Sequence, residues 1–510
     1  MAFTFLAEKM IFRTGTHELK LLFLLKYLKL ISKNPVGQYN ILIHGFCQLT
    51  FSNGLIRQSQ VIIIQLLVLL VCICLGARMS GIGLGVMGMI GLLIFMFGFG
   101  MQPADPPLEV MLIILSVVTA AAALQAAGGM DYLVQIAGKI LRKNPKQITL
   151  LGPLVTYAFV LFAGTAHISY SIMPIIAEVA IKNRIRPERA MSMSVTAAHM
   201  AITASPVSAA AAALLTVLGA SGVQLADILV VAIPSTLVGV MVGILFVWKR
   251  GKELSEDPEF QERMKDPAFA ANLEGTGNTN EFVLAPGAIK SVVIFGLAVA
   301  AVVVLGSFPA LLPEFGDNPG FSPGFAVNEA GHVLMPSMIM IIMLAATGFI
   351  ILFANTTAGA VTKASLFASA GQATIAVFGV VWMSGTFMDN NFEVIQGTLG
   401  DLVASYPWSF AIALFMLSML LYSQASTAKA LMPLGLALGL PPAYLIGIFP
   451  ACNGHFFIPG YPTLLTAIQF DRTGTTRIGK YVLNHSFMLP GLVTTTVSVL
   501  TGLLLHSILI

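Results

Sequence analysis

Charged side chains are scarce in this sequence of 510 residues. Only 10% of the residues are Asp, Glu, Lys or Arg, whereas soluble domains carry about 25%, and 57% of the residues are hydrophobic. This composition excludes an ordinary soluble protein. The apolar runs reach about 20 residues, the length of a membrane-spanning helix, and they lack the alternation of barrel strands. The sequence therefore predicts an all-α polytopic membrane protein.

The sequence patterns of catalytic and metal sites are also missing. The four cysteines have no metal-ligand spacing, and Cys72 and Cys74 face away from each other if they lie on a helix. The sequence has no P-loop and no H-E-x-x-H motif, and we find no trio of nucleophile, base and orienting residue. We therefore expect no enzyme, no catalytic residue, no cofactor and no bound metal.

Two glycine-rich motifs have simple structural explanations. Residues Gly83–Gly88 match G-x-G-x-x-G, but they lie inside a predicted spanning helix with no preceding strand. Their glycines instead favour close packing of one helix against another. The segment Gly219–Gly222 falls at the outer end of a predicted span, where we expect a turn.

From residue 61 onward the sequence reads as a series of membrane helices. Ten apolar segments are long enough to span: 61–76, 82–99, 108–127, 190–218, 226–248, 289–308, 335–354, 371–388, 443–470 and 482–507. Two further apolar stretches, 147–182 and 408–436, have polar residues in the middle. Because their arms are about 15 residues long, short of a full span, we predict re-entrant helical hairpins. The alternative counts each hairpin as two spans, which gives twelve.

The chain divides into an extension, two halves and a linker. Residues 1–60 hold a short basic apolar run and are interpreted as a dispensable N-terminal extension; the alternative is a helix lying on the membrane surface. Residues 61–248 form the first half and 289–510 the second. The hydrophilic segment 249–288 between them is predicted to be a cytoplasmic linker.

The two halves repeat each other. Their prolines recur with similar spacing, at positions 145, 174, 206 and 234 in the first half and 407, 433, 462 and 490 in the second. Met173–Pro174 corresponds in this register to Met432–Pro433. Five spans in each half make an odd number of crossings, so the two repeats are predicted to be inverted. Interrupted segments in corresponding places of two repeats are typical of secondary transporters and of their binding sites.

The distribution of charge sets the predicted orientation. With hairpins that return to their own side, the lysines and arginines of the loops fall on one face, which is the cytoplasmic face by the positive-inside rule. The opposite loops, 100–107, 309–334, 389–407 and 437–442, contain acidic residues and no lysine or arginine. Lys429 is the one basic residue after position 60 that belongs to neither face.

Each half contains two polar interruptions near the middle of the membrane: 163–169 and 203–208 in the first, 423–429 and 458–463 in the second. A helix that ends inside the membrane has unpaired backbone groups, which are tolerated when they line a cavity or bind a ligand. Helix N-termini favour carboxylates. We therefore predict one anion site, with these candidate residues: Gly164, Thr165, His167, Ser169, Ser205, Ser423, Gln424, Ser426, Thr427, Lys429, Tyr461 and Thr463.

Lys429 is the full positive charge in this predicted site and is assigned to one carboxylate of a dicarboxylate. The alternatives are a side chain that extends to the outer surface, or one that pairs with a carbonyl. His167 is a candidate donor or proton carrier, with a structural hydrogen bond as the alternative. For His199, Glu178 and His455 we expect a packing hydrogen bond or a position facing water rather than a role in binding.

Several long segments resemble the bacterial anaerobic C4-dicarboxylate transporter family, Dcu. They are "LQAAGGMDYLVQIAGKILRKNPKQIT" (124–149), "AGTAHISYSIMPIIAEVAIKNRIRPER" (163–189), "ASPVS" (204–208), "YSQASTAKALMP" (422–433) and "YPTLLTAIQFDRTGTTRIGKYVLNHSFMLPG" (461–491). The similarity covers residues 61–510, and residues 1–60 have no counterpart in it. The resemblance implies a fold like that of the inverted-repeat, elevator-type anion transporters.

The resemblance also implies antiport of fumarate, malate or aspartate against succinate across the bacterial inner membrane, in anaerobic fumarate respiration. The alternative is a proton- or sodium-coupled symporter of dicarboxylates or other small organic anions. A cation channel is disfavoured because the ionisable residue at mid-membrane is basic. The expected partners are C4-dicarboxylates (fumarate, succinate, malate and aspartate), membrane lipid, a second copy in a homodimer and no nucleic acid. A sensor histidine kinase is a further candidate partner, because some members of one branch act as co-sensors.

Overall fold

The computed structural model describes residues 58–79, 82–274, 284–315, 333–421, 423–459, 461–479, 481 and 483–509. Within these ranges the chain is helical, with a single isolated β-bridge between Ile478 and His485. All but the last three residues of the predicted N-terminal extension lie outside the described residues.

The first half is a run of helices that ends at the linker. These helices are α1 Gln58–Met79, α2 Gly83–Leu93 with a π-helical continuation Ile94–Gly98, α3 Leu108–Ala126, α4 Gly129–Lys143, α5 Ile148–Ala163, α6 Ile168–Lys182, α7 Pro187–Ala204, α8 Ala209–Leu218 and α9 Leu225–Val247. The predicted turn at Gly219–Gly222 is confirmed as a single 3-10 turn ended by Gly222.

The linker and the second half continue the helical architecture. Their helices are α10 Pro258–Arg263, α11 Pro267–Glu274, α12 Ala288–Ser307, α13 Met335–Phe353, α14 Ala358–Lys363, α15 Ser365–Ser405, α16 Trp408–Leu421, α17 Gln424–Ala437, α18 Pro442–Ile448, α19 Pro462–Phe470 and α20 Met488–Leu509. Two 3-10 turns, Phe449–Cys452 and Gly454–Phe456, lie between α18 and α19.

Six helical segments of the described chain are long and apolar enough to cross a membrane. They are Pro145–Ala163, Pro187–Leu218, Leu225–Val247, Ala288–Ser307, Met335–Phe353 and Met488–Ile508. A seventh results if α3 and α4, which meet at an angle of 73°, form one broken span. Shorter apolar helices at Val61–Gly76, Gly83–Gly98 and Trp408–Met419 add to the membrane character of the chain.

Two predictions of helix extent are wrong. The span predicted at 371–388 belongs to α15, a helix of 41 residues, so most of the predicted loop 389–407 is helical. Residues 129–143 were not predicted to form an element, but they form α4. This helix buries an apolar stripe at helical spacing, including Met130, Leu133, Ala137 and Leu141, which explains its stability despite its charged face.

The glycines of α2 allow close packing, as predicted. A Cβ added at Gly88 would lie 2.6 Å from the Gly379 carbonyl oxygen of α15, and one added at Gly379 would lie 1.8 Å from the Gly85 oxygen. The two helices therefore touch backbone to backbone. On α1, Cys72 is buried and Cys74 exposed, which confirms that they occupy different faces.

Two helix pairs lie at the centre of the structure. Hairpin 1 consists of α5 and α6, joined by a turn in which Gly164 has φ +69°. Hairpin 2 consists of α16 and α17. As α-helices of 14 to 16 residues, the four arms are about 21 to 24 Å long, against a hydrocarbon core of about 30 Å. With the 3-10 turn that precedes it, however, α5 forms the 19-residue segment Pro145–Ala163, which is long enough to span, so the re-entrant form of hairpin 1 stays a prediction. Most of the large apolar core surrounds these arms and the helices α7, α9 and α20.

The linker packs against the hairpin 1 side of the molecule. Phe260 and Leu254 are buried with Ile181 at the end of α6. Arg186, just before α7, binds Glu188 at 2.7 Å and Asp257 of the linker at 2.6 Å. The linker is therefore a docked part of the fold.

The charged side chains of this contact shift each other's pKa. Burial lowers the pKa of the Arg186 guanidinium, but hydrogen bonds and charges from Glu188 and Asp257 raise it, and the net pKa is above its usual value. Burial raises the pKa of Asp257, but its hydrogen bond to Arg186 and the N–H groups that it caps lower it below 3.8. Both groups are therefore charged at neutral pH.

Candidate functional site

The tip of hairpin 1 is a compact polar turn. A Cβ at Gly164 would lie 2.7 Å from the Val207 carbonyl oxygen, so this position, also at positive φ, needs glycine. The hydroxyl of buried Thr165 accepts a hydrogen bond from the His167 N–H at 3.3 Å. Ser169 donates to the Ala166 carbonyl oxygen at 2.6 Å. Thr165 and Ser169 thus shape the turn, and α6 begins immediately after it.

His167 is half-buried at this tip. Its ring contacts Tyr170 edge to face, with 5.5 Å between centroids. Its ring nitrogens make no hydrogen bond with other residues that the structure describes. The imidazole is therefore available to a ligand at the tip.

The first broken helix, α7 to α8, lies directly against hairpin 1. Ser205 ends α7 in an extended conformation and donates to the Leu161 carbonyl oxygen of α5 at 2.7 Å. Ser208 caps α8 by accepting from the Ala211 N–H at 3.1 Å. The capped N-terminus of α8 therefore sits beside the turn of hairpin 1.

The tip of hairpin 2 is organised by a serine cap. The Ser423 hydroxyl accepts from the Ser426 N–H at 3.2 Å and from the Ser426 hydroxyl at 2.9 Å, and Thr427 donates to the Ser423 carbonyl oxygen at 2.7 Å. Gln424 points the other way and donates to Asn453 at 3.1 Å. These contacts hold the N-terminus of α17 in place.

The second broken helix joins the two halves of the chain. Thr463, in the first turn of α19, is hydrogen-bonded to His199 of α7 at 2.8 Å. The Tyr461 ring contacts the rings of His199 and His455, with centroids 4.8 and 5.1 Å away. Tyr461 and Thr463 therefore pack on α7.

A path of hydrogen bonds joins hairpin 2, the segment between α18 and α19, α7 and hairpin 1. Asn453 accepts from Gln424 of hairpin 2 and donates to Thr203 of α7 at 3.4 Å. Two residues later Ser205 binds Leu161 of hairpin 1. These bonds bring the four elements into contact, with Asn453 at the junction, and the anion site itself stays a prediction.

Lys429 lies farther from this path than the tip residues. It is half-buried on α17 and interacts electrostatically with Glu109, in the first turn of α3. Glu109 accepts a hydrogen bond from Thr216 of α8 at 3.4 Å. No ion pair shorter than 4 Å involves Lys429 within the described chain. Its acidic neighbour Glu109 comes from a distant part of the sequence and was not predicted.

The expectations for three other ionisable residues had different outcomes. Glu178 forms ion pairs with Arg142 and Lys182, at 3.2 and 2.6 Å, and His199 makes the expected packing hydrogen bond. For His455 the expected hydrogen bond or exposure to water is wrong, because its side chain is fully buried and neither ring nitrogen is hydrogen-bonded to another residue that the structure describes. Its ring instead packs edge to face against the rings of His199 and Tyr461.

The sequence reasoning missed Asn453, Thr203 and Glu109. Asn453 had a signal in the sequence, since "CNGH" places polar residues inside the apolar segment 443–470. Among the described residues there is no group of three side chains suited to hold a metal ion. The hydroxyls, amides and helix N-termini of the site are instead suited to a carboxylate.

Comparison with known proteins shows which family this chain is similar to. A family model described as anaerobic C4-dicarboxylate membrane transporter matches residues 61–510. The anaerobic C4-dicarboxylate transporter DcuB of Escherichia coli O6:H1 is 42% identical over 446 residues, covering 86% of this chain and 97% of that protein. The C4-dicarboxylate transporter DcuA of Wolinella succinogenes is 40% identical over 449 residues, with coverage of 88% and 100%. DcuA of Escherichia coli K12 is 38% identical over 450 residues, with the same coverage.

Each of these matches covers nearly all of the chain after the N-terminal extension. The matching proteins are transporters, which agrees with the expectation that the chain is no enzyme. The chain thus belongs to the family of anaerobic C4-dicarboxylate membrane transporters and is a multi-pass protein of the bacterial inner membrane.

Proposed function

We propose that this protein exchanges C4-dicarboxylates across the inner membrane, taking up fumarate, malate or aspartate and releasing succinate. The observation that carries the proposal is the path of contacts joining both hairpins and both broken helices. In the proposed site, the N-terminal ends of α6, α8 and α17 face one polar region. These ends offer N–H groups and partial positive charge to an anion.

In the proposed mode of binding the two carboxylates have separate sites. One lies at the hairpin 1 tip, where His167 and the N-termini of α6 and α8 supply donors. The other lies at the hairpin 2 tip, at the N-terminus of α17 with Ser423 and Ser426. Lys429, on the same helix, adds a full positive charge that attracts the dianion.

The proposed mechanism uses the two halves as inverted repeats. Each half contains a helical hairpin, then a broken helix, then a long helix: α5–α6, α7–α8 and α9 in the first, α16–α17, α18–α19 and α20 in the second. This order supports a duplicated fold in which the hairpins and broken helices carry the substrate as one body, as an elevator transporter does. Exchange of fumarate or malate for succinate moves no net charge, because one dianion replaces another. Aspartate has a net charge of −1 at neutral pH, so its exchange for succinate moves one negative charge outward.

Counter-flow in proteoliposomes tests the proposed exchange. Labelled fumarate should accumulate in vesicles loaded with unlabelled succinate and not in vesicles loaded with buffer. The initial rate should be unchanged when the membrane voltage is collapsed with an ionophore. Uptake that needs no internal dicarboxylate, or that produces a strong current, would overturn antiport in favour of ion-coupled symport.

A pair of variants tests the role of Lys429. If the ammonium acts on the substrate, Lys429→Ala should reduce exchange at least about tenfold, the effect of losing one charge-assisted contact. Glu109→Gln, which removes the acidic neighbour and keeps the ammonium, should retain exchange. Equal losses in the two variants would mean that Lys429 serves only as the partner of Glu109. Both variants are compared at equal amounts of inserted protein.

A further inference from the structure

The position of Asn453 suggests a role in substrate selection that goes beyond the general exchange reaction. We propose that Asn453 is a positioning residue that fixes the separation of the two hairpin tips, and so selects dicarboxylates by the length of their carbon chain. The inference rests on the proposed function, because it concerns the same substrate site.

Asn453 uses both ends of its amide in contacts between separate elements. Its oxygen accepts from Gln424, the first residue of α17, at 3.1 Å. Its nitrogen donates to the Thr203 hydroxyl near the end of α7 at 3.4 Å, and to the Pro450 carbonyl oxygen at 3.0 Å. An amide is the side chain that supplies a donor and an acceptor at once in this space.

All three side chains of this bridge are removed from water. Asn453 is 1% exposed, Gln424 5% and Thr203 fully buried. Buried polar groups keep their partners because an unpaired amide is costly, so the bridge is a fixed spacer. The Pro450 contact anchors the amide to its own 3-10 segment, which keeps the side chain from rotating away.

The same bridge reaches hairpin 1 through α7. Thr203 lies two residues before Ser205, and Ser205 donates to the Leu161 carbonyl oxygen at 2.7 Å. The N-terminus of α17 and the last turn of α5 are therefore connected through a short run of backbone and three hydrogen bonds, two of them buried and one partly buried. The distance between the tips follows from the length of this connection.

A spacer that fixes the gap between the tips would select dicarboxylates by the length of their carbon chain. A dicarboxylate that places one carboxylate at each tip fits only if its carbon chain matches the gap. Malonate has one carbon fewer than succinate, and glutarate has one more. A rigid gap rejects both, whereas a loose gap admits them.

The test measures chain-length selectivity in proteoliposomes. Asn453→Leu removes all three contacts of the amide with the same number of side-chain heavy atoms. Thr203→Val removes the acceptor on α7, together with the hydrogen bond of that hydroxyl to the Met200 carbonyl oxygen within the same helix. With succinate inside, kcat and KM are measured for external malonate, succinate and glutarate. Both variants should lower the ratio of kcat/KM for succinate to that for glutarate about fivefold, the effect of one ordinary hydrogen bond. The change should lie mainly in the KM values.

Tyr157→Phe is the matched control. The Tyr157 hydroxyl also makes buried hydrogen bonds, to Thr236 and the Ile233 carbonyl oxygen, but it lies outside the path between the tips. This variant should keep the wild-type ratio. A general structural effect would instead slow all three acids equally in every variant.

The outcomes separate the inference from the proposed function. If the wild type exchanges dicarboxylates but Asn453→Leu and Thr203→Val keep its selectivity, the spacer role is wrong and the exchange function stands. If the wild type exchanges no dicarboxylate, the proposed function fails and the inference with it. If Asn453→Leu does not fold, Thr203→Val decides alone.

Discussion

At the scale of single residues, the buried His455 differs from its neighbour His199 in its hydrogen bonding. Its ring lies against His199 and Tyr461, with centroids 5.1 Å from each, and neither ring nitrogen is hydrogen-bonded within the part of the chain that the structure describes. By contrast, His199 binds Thr463. Two neighbouring imidazoles thus occupy similar apolar surroundings, one with a polar partner and one without.

This contrast predicts opposite effects of the same substitution. His455→Phe removes an unpaired buried polar group, which costs about 1–3 kcal/mol, so the melting temperature in detergent should stay equal or rise. His199→Phe, the control, leaves the Thr463 hydroxyl unpaired and should lower it. An equal fall in both variants would show that His455 has a polar partner, such as a buried water molecule.

At the scale of whole helices, α2 and α15 pack against each other through close contact of their backbones. The backbones meet at Gly85 and Gly379, where there is no room for a methyl group. Helices that pack through glycine gain van der Waals contact over their whole length. Because α15 also packs on α3 and α17, this contact fixes several helices at once.

Two glycines of α15 provide a matched test of this packing. Gly379→Ala forces the helices apart and should sharply reduce the yield of folded, monodisperse protein. Gly371→Ala on the same helix meets nothing within 4 Å and should be neutral or stabilising by up to about 1 kcal/mol, the difference in helix propensity. The measurement is fluorescence-detected size-exclusion chromatography. Similar yields for the two variants would contradict the packing argument.

How far the sequence predicts these elements depends on whether a signal is local. The interruption at Ser423 and the turn at Gly164 were found because serine caps and glycine turns act over a few residues. The full extent of α15 was missed because residues 389–405 are polar enough to resemble a loop, and only packing in the folded protein makes them helical.

The same limit applies to the candidate site. Contact between the interrupted elements could be expected, since each break alone is costly in a membrane. The contact of Asn453 with Thr203 and the closeness of Glu109 to Lys429 could not be predicted, because each pair is far apart in sequence. Sequence periodicity carries no information about which distant side chains meet.

At the scale of the whole molecule, ion pairs connect the linker to both halves of the chain. Arg189, in the first turn of α7, binds Glu253 at 2.6 Å, while Arg477 of the second half binds Glu259 at 2.9 Å. Arg250 donates to the Ser486 carbonyl oxygen at 2.8 Å. The linker thus contacts both halves on the face predicted to be cytoplasmic.

Removing one charge of this network should loosen the linker. Asp257→Asn weakens the contact with Arg186 and one helix cap, so limited proteolysis should cleave between residues 249 and 274 faster than in the wild type. Glu256→Gln, a neighbouring acid outside the ion pairs of the described chain, should cleave at the wild-type rate. Unchanged protection in Asp257→Asn would mean that apolar contacts of Phe260 hold the linker alone.

The pH dependence of linker docking follows from the same pair. The pKa of Asp257 is lower in the folded state than its usual value of 3.8, so its stabilising contribution is complete above that value and is lost as the pH falls through the folded pKa. Protease protection of the wild type should therefore be constant from about pH 5 to about pH 8. A loss of protection within that range would point to another titrating group.

The docked linker has a consequence for where substrate can leave the protein. Residues 186–189, 250–263 and 473–486 are held together by ion pairs and hydrogen bonds, several of them shielded from water. Separating them would strand charges such as Glu188, each at a cost of several kcal/mol. If the protein exchanges dicarboxylates as proposed, we therefore expect the exit toward the cytoplasm to form on a side of the hairpins other than this one.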